Sequence, residues 1–478
     1  MELKKIFKTD IVLPIFLVSA FLVLLIFNSL RLNFSFSDIN GTQSYNIIFS
    51  IVAALPIMFL FFTKYFWQVP WHRKILLTGL TMFVLSCCYS ANYTANNSYV
   101  FFGCALSFFI FERKFYKPTV IHILFALYCF WNIFSICWAN DFFTAKSAIT
   151  KYLPFIMVPL AFCFFKLEKK EINLILMIFF RVVLIWLVMS LCCWVLESRY
   201  LEIPLSEWFS TSKHVLRQRS PYNIVYAWTC YRQPTFNAIF YLTAMIFGLH
   251  FWKKRAQIRP NIFELILFTV ATFVIIITTQ SRVGFVLFAL ILVVFYLSFF
   301  VENKKMLIIN FSLLTICGII FTIFFHQKLY EVFSDSTRQQ IYKTAFFYIK
   351  NNVLTGCGLG SMSDIFRSVE IANMSGYEVP FLATHAHNQF IGDFMQTGII
   401  GFLLIVSILI CLVYFSFKNK NWLLLSFFVL YLIFMLIEMP LYFKNSGIIF
   451  VLFALLFKNF EINPNINEKN LCNNNVSQ

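Results

Sequence analysis

Charge is scarce in this chain. Asp, Glu, Lys and Arg make up 12% of 478 residues, and only 21 side chains are acidic. A water-soluble domain carries about a quarter charged residues, so a free-standing globular protein is excluded. Polar breaks are scarce too: apolar stretches near 20 residues recur from end to end, each able to cross about 30 Å of hydrocarbon. These runs do not alternate polar with apolar, which excludes a transmembrane β-barrel. The first apolar run follows MELKKIFK without a small-residue cleavage site, and it reads as a retained span. The 13 cysteines include no CxxC; Cys87–Cys88 and Cys192–Cys193 are merely adjacent. No metal-binding spacing appears, and no carboxylate pair suited to glycoside hydrolysis.

What is present is apolar: 60% of residues are hydrophobic and 20% aromatic, with a mean hydropathy of +0.77. The sequence predicts an all-α, polytopic membrane protein with about 12–14 transmembrane helices. Spans are predicted near 11–29, 45–63, 74–92, 97–111, 118–138, 150–166, 172–195, 234–251, 261–279, 283–301, 306–325, 388–416, 421–437 and 443–457. Every second connection is basic. Lys4 and Lys5 come first, then Lys64, Arg73 and Lys74, then Arg113, Lys114 and Lys117, and so on to Lys418 and Lys420. The positive-inside rule places that side in the cytoplasm. The net charge of +17 therefore reports orientation and not nucleic-acid binding.

The chain divides into N-terminal helices (1–195), an outer loop (196–233), central helices carrying the Arg282 turn (234–325), a long second outer loop (326–387), C-terminal helices (388–457) and a polar cytoplasmic tail (458–478). A loop as long as the second needs structure of its own. Within it, DSTRQQIYKTAFFYIKNN predicts a helix capped by Asp335 or Ser336, with Ile341, Ala345, Tyr348 and Ile349 on one face. The glycines of NNVLTGCGLGSM end it in a tight turn. Cys230 and Cys357 both fall in outer loops, where a disulfide and two free thiols are the alternatives.

Four polar features stand near the outer face, where buried charge is costly unless it works or is paired. Arg282, in TTQSRVGF, occupies a tight turn and makes an outer connection basic. Arg338 opens the loop helix; a solvated surface arginine looks the same in sequence. Arg232, in YRQPTFNAIF, lies where the first loop re-enters the membrane, near Lys213, Arg217 and Arg219. His385 and His387 open THAHNQFIGDFMQTGIIGF, followed by Asn388 and Asp393. In an extended segment two histidines at i and i+2 point the same way, yet no further metal ligand is evident. Arginine forks match phosphate oxygens, and a histidine near neutral pKa can take a proton from a hydroxyl. That combination suits glycosyl transfer from a lipid-linked diphosphate sugar. Asp393 could orient a histidine or pair with an arginine, and Gly398 and Gly401 leave room for close helix packing.

Three stretches resemble the O-antigen ligase and polymerase superfamily of the Wzy-C type. TTQSRVGFVLFAL resembles its Thr/Ser-Arg turn. STRQQIYKTAFFYIKNNVLTGCGLGSM resembles its loop arginine, aromatic-alanine helix and glycine turn, with Val353 and Leu354 where a proline is usual. HAHNQFIGDFMQTGIIGF resembles its His-Asn signature followed by Gly-x-x-Gly. The resemblance covers roughly residues 172–457. It implies a GT-C-like, inverting, metal-independent glycosyltransferase of the inner membrane that needs no cofactor. Its donor would be an undecaprenyl-diphosphate-linked glycan and its acceptor lipid A–core oligosaccharide for a ligase, or another lipid-linked repeat for a polymerase. Arg282 and Arg338 match the diphosphate-holding arginines, Arg232 less closely. His387 matches the catalytic base, with His385, Asn388 and Asp393 as its neighbours. A transporter of charged lipid would also want membrane-level arginines. No internal inverted repeat supports it, and the polar groups gather at one face.

Overall fold

The computed structural model describes residues 60–61, 63–87, 91–200, 234–255, 259–279, 281–300, pieces between 303 and 316, 336–373 and 385–458. The predicted span at 11–29, most of those at 45–63 and 306–325, Lys213, Arg217, Arg219, Cys230, Arg232 and the tail from Asn463 lie outside the described residues.

Among the described residues the architecture is all helix, with no strand. In chain order the helices are α1 (Lys64–Gln68), α2 (Trp71–Ser86), α3 (Ala91–Glu112), α4 (Val120–Phe134), α5 (Phe142–Tyr152), α6 (Pro154–Phe162), α7 (Lys169–Tyr200) and α8 (Pro234–Lys253). They continue with α9 (Ile262–Thr278), α10 (Arg282–Leu297), α11 (Ser336–Asn351), α12 (Ser361–Asn373), α13 (Gln389–Lys418), α14 (Trp422–Ile437) and α15 (Lys444–Lys458). Among the described residues five stretches are long and apolar enough to cross a membrane: Thr94–Glu112, Val120–Trp138, Lys169–Cys192, Arg282–Phe300 and Gln389–Lys418. Shorter apolar helices fall within α8, α9, α14 and α15. The protein is an integral membrane protein of the polytopic all-α class.

One predicted span, 150–166, is instead broken. α5 ends at Tyr152 and α6 starts at Pro154, where a missing N–H costs nothing in a first helical turn. The core is centred on α15, whose residues from Ile448 to Phe457 are all fully buried. It packs against α3, α5, α6 and α14. Phenylalanine serves both inside and outside: Phe179 and Phe247 are buried, while Phe130 and Phe134 are exposed. Near the basic connections Arg73 donates to both oxygens of the fully buried Glu171 (2.8 and 2.5 Å), tying α2 to α7.

The predicted loop helix is α11. Ile341, Ala345 and Ile349 are buried and Tyr348 is half-buried, the amphipathic face the sequence marks out. The glycine turn after it docks onto α13 at a break. Gly398 has φ 69° and ψ −166°, so the regular ladder of α13 is interrupted there. The Met395 and Gln396 carbonyls instead accept from the N–H groups of Cys357 and Gly358 (both 2.9 Å), and Ile399 N–H donates to the Val353 carbonyl (2.9 Å). Backbone groups freed by a helix break inside a membrane protein need partners of this kind. Gly398 is therefore a hinge point held by a loop, in contrast to the packing role its sequence spacing suggests; a Cβ there would collide with the Leu354 carbonyl. Trp131 Nε1 donates to the Thr397 carbonyl and Trp138 Nε1 to the Thr355 carbonyl (both 2.9 Å), fastening α4 and the turn that follows it to the same junction. Cys357 carries a free, buried thiol, while Cys230, its alternative partner, lies outside the described residues; burial pushes the Cys357 thiol up to about 12.

Candidate functional site

α13 begins at Gln389 because Asn388 caps it: Asn388 Oδ1 accepts from Ile391 N–H (3.1 Å). The Asn388 amide also donates to the Leu436 carbonyl (2.9 Å), joining the start of α13 to the end of α14. His387, one residue earlier, has φ +49°, the left-handed region that costs a side-chain-bearing residue about 1–3 kcal/mol and collects at functional positions. The two histidines are thus not in the uniformly extended segment that the i, i+2 reading assumes. They nonetheless converge, with ring centroids 4.1 Å apart.

What they converge on is Glu438, the residue that ends α14. Its Oε2 lies 3.0 Å from His387 Nδ1 and 3.3 Å from His385 Nε2. Its Oε1 accepts from Arg338 Nη2 on α11 (3.4 Å). One carboxylate therefore gathers three of the residues singled out in the sequence. His385 is 4% exposed and His387 25%, so His387 is the ring that can meet a substrate. Tyr342 on α11 donates to the His387 carbonyl (3.4 Å), and the Ala386 N–H faces the Met439 sulfur (3.3 Å).

The charges are mutually adjusted. Burial works to raise the Glu438 carboxyl, but the hydrogen bonds and charges of His385 and His387 outweigh it and hold the group at about 2. Burial pushes the His385 imidazole below its ordinary value, against the pull of Glu438. The picture near neutral pH is an ionised Glu438 beside a neutral His385.

Asp393 does not pair with a histidine or an arginine among its hydrogen bonds. It is buried inside α13, where both its oxygens accept from the Tyr128 hydroxyl (3.1 Å each) and Oδ1 accepts from the Gln389 amide (2.9 Å). Gln389 in turn accepts from Leu441 N–H (2.9 Å). The chain Tyr128–Asp393–Gln389 thereby fixes the 438–443 connection that carries Glu438. Arg282 is exposed and opens α10 after the Ser281 cap. It lies at the same end of the bundle: Gly284 packs on Ala238, nearby Phe236 meets Phe443 (4.4 Å), and Phe443 meets His385 edge-on (5.1 Å). Arg232 lies outside the described residues.

His385, His387 and Glu438 also present three donor atoms within 4.8 Å of one another, a set able to hold a metal ion. The third donor comes from another connection, which is why spacing around the histidines does not reveal it. The guanidinium of Arg338 on the same carboxylate works against a divalent ion there.

Glu438 is the main functional candidate that the sequence reading misses. Its signal is the lone acid of IEMPLYF, between the last two spans of a chain poor in acids.

Fold and site together define an integral membrane protein with a histidine–carboxylate–arginine cluster at one end of its helix bundle. Residues 267–406 match the family model described as O-antigen ligase, and the resemblance to that superfamily holds over this segment. It contains Arg282, Arg338, His385, His387, Asn388 and Asp393, whereas Glu438 lies beyond it. No curated protein matches the chain.

Proposed function

We propose that the protein is an O-antigen ligase. It would transfer a glycan from undecaprenyl diphosphate to a hydroxyl of lipid A–core at the periplasmic face of the inner membrane. The orientation rests on the basic connections opposite the site. The observation that carries the reading is the hold of Glu438 on His387, within a cluster that overlaps the family-matched segment. With Nδ1–H donated to Glu438, the His387 Nε2 lone pair is left to accept the acceptor's hydroxyl proton. The acceptor oxygen then bonds to the anomeric carbon, the bond from that carbon to the phosphate oxygen breaks, and undecaprenyl diphosphate leaves with inversion. Arg282, Arg338 and Arg232 hold the leaving diphosphate. Asn388 and His385 set the position of His387, and Asp393 acts through Gln389. No metal ion or cofactor takes part.

His387→Ala is expected to leave lipopolysaccharide without long glycan while undecaprenyl-linked polymer accumulates, a loss of about 10²–10⁴-fold in transfer. Persistence of capped lipopolysaccharide in that strain would remove His387 from the role of base.

A further inference from the structure

A second cationic feature adjoins the histidine cluster through Tyr442. The Tyr442 ring stacks with His385 (centroids 6.2 Å, interplanar 17°), and Lys151 Nζ lies 4.0 Å from the centre of the Tyr442 ring. Lys444, two residues further on, opens α15, which packs on the α5 helix that carries Lys151, and its charge reaches Lys151. Both lysines are half-buried. Among the described residues neither forms an ion pair. The prominent cations elsewhere do: Arg73 with Glu171, Arg181 with Glu264 and Arg338 with Glu438. Asp364 influences Tyr442, but its carboxylate faces the Ser363 hydroxyl (3.5 Å).

Two ammonium groups within electrostatic reach of each other and partly out of water repel each other and lose hydration. An anion between them reverses both costs. Ammonium groups are compact charges with rotatable donors, suited to the oxygens of a phosphate. We propose that Lys151 and Lys444 form the seat of a phosphate oxyanion of the reacting substrate, with Tyr442 as the wall between that seat and His385. Both lysines lie outside the family-matched segment. The inference rests on the transferase reading of the same site.

The test uses the purified full-length protein in detergent, titrated with inorganic pyrophosphate and followed by thermal unfolding. Wild type is expected to be stabilised. The K151Q/K444Q variant should need at least tenfold more pyrophosphate for the same shift, and K151R/K444R should behave like wild type. A wild type that shows no shift, a glutamine pair that titrates like wild type, or an arginine pair as weak as the glutamine pair would overturn the seat. His387→Ala should keep the pyrophosphate shift. If that variant also keeps transfer activity, the base assignment fails while the seat stands. Competition against pyrophosphate then identifies the source. Undecaprenyl diphosphate competing identifies the donor, and lipid A–core competing only when it carries its phosphates identifies the acceptor. Competition by neither overturns the proposal.

Discussion

Glu438 carries three partners on two oxygens, and its removal affects each differently. Glu438→Ala strips His385 and His387 of their acceptor and leaves Arg338 without its carboxylate. Breaking a buried pair from one side costs about 3–5 kcal/mol, so the melting temperature of the purified variant should fall clearly below wild type. Glu438→Gln keeps the shape and removes the charge, and transfer should drop by about 10²-fold with a smaller loss of stability. Acid should act on the same cluster. Glu438 sits at about 2 in the folded protein, below its ordinary value, so its contribution is full above that ordinary value and fades as pH falls toward 2. His385 is also lowered. As pH falls below about 6.5 the unfolded chain takes up a proton at this histidine before the folded one does. Both groups give the same sign, and stability should rise with pH from acid to neutral. A melting curve that is flat from pH 3 to 7 would contradict this.

At the scale of elements, the junction of the glycine turn with α13 is the feature with the sharpest geometric demand. Gly398→Ala puts a side chain at positive φ and into the Leu354 carbonyl, and it should destabilise by more than about 1 kcal/mol. Gly103, inside α3, faces open space, with nothing within 4 Å of where a Cβ would sit; Gly103→Ala should be neutral or stabilising by up to about 1 kcal/mol. Paired melting curves decide the contrast. The helix α11 was legible because Ile341, Ala345 and Ile349 recur at helical spacing. The break at Gly398 was not, because Gly-x-x-Gly inside a hydrophobic run reads equally as a packing face. What distinguishes the two is a partner stretch of chain some forty residues earlier, and local pattern holds no record of it. The same reason hides Glu438: its role comes from meeting two histidines across 51 and 53 residues of sequence.

At the scale of the whole molecule, the ligase reading and its nearest rival predict different lipopolysaccharide in a deletion strain. Loss of a ligase leaves bare core, and loss of a polymerase leaves core carrying one repeat; the banding pattern separates them. The membrane class was legible from apolar length, and the expected orientation from the placement of lysines and arginines, since both are local and additive along the chain. The proposed phosphate seat was not, because Lys151 and Lys444 belong to helices far apart in sequence. The docking of residues 353–358 onto the carbonyls of 395 and 396 has a practical consequence for recombination. The loop and the span are not exchangeable modules. A chimera that imports a relative's loop while keeping the native α13 would bring in a plug without its socket, and only grafts that transfer both halves of the junction should yield folded protein.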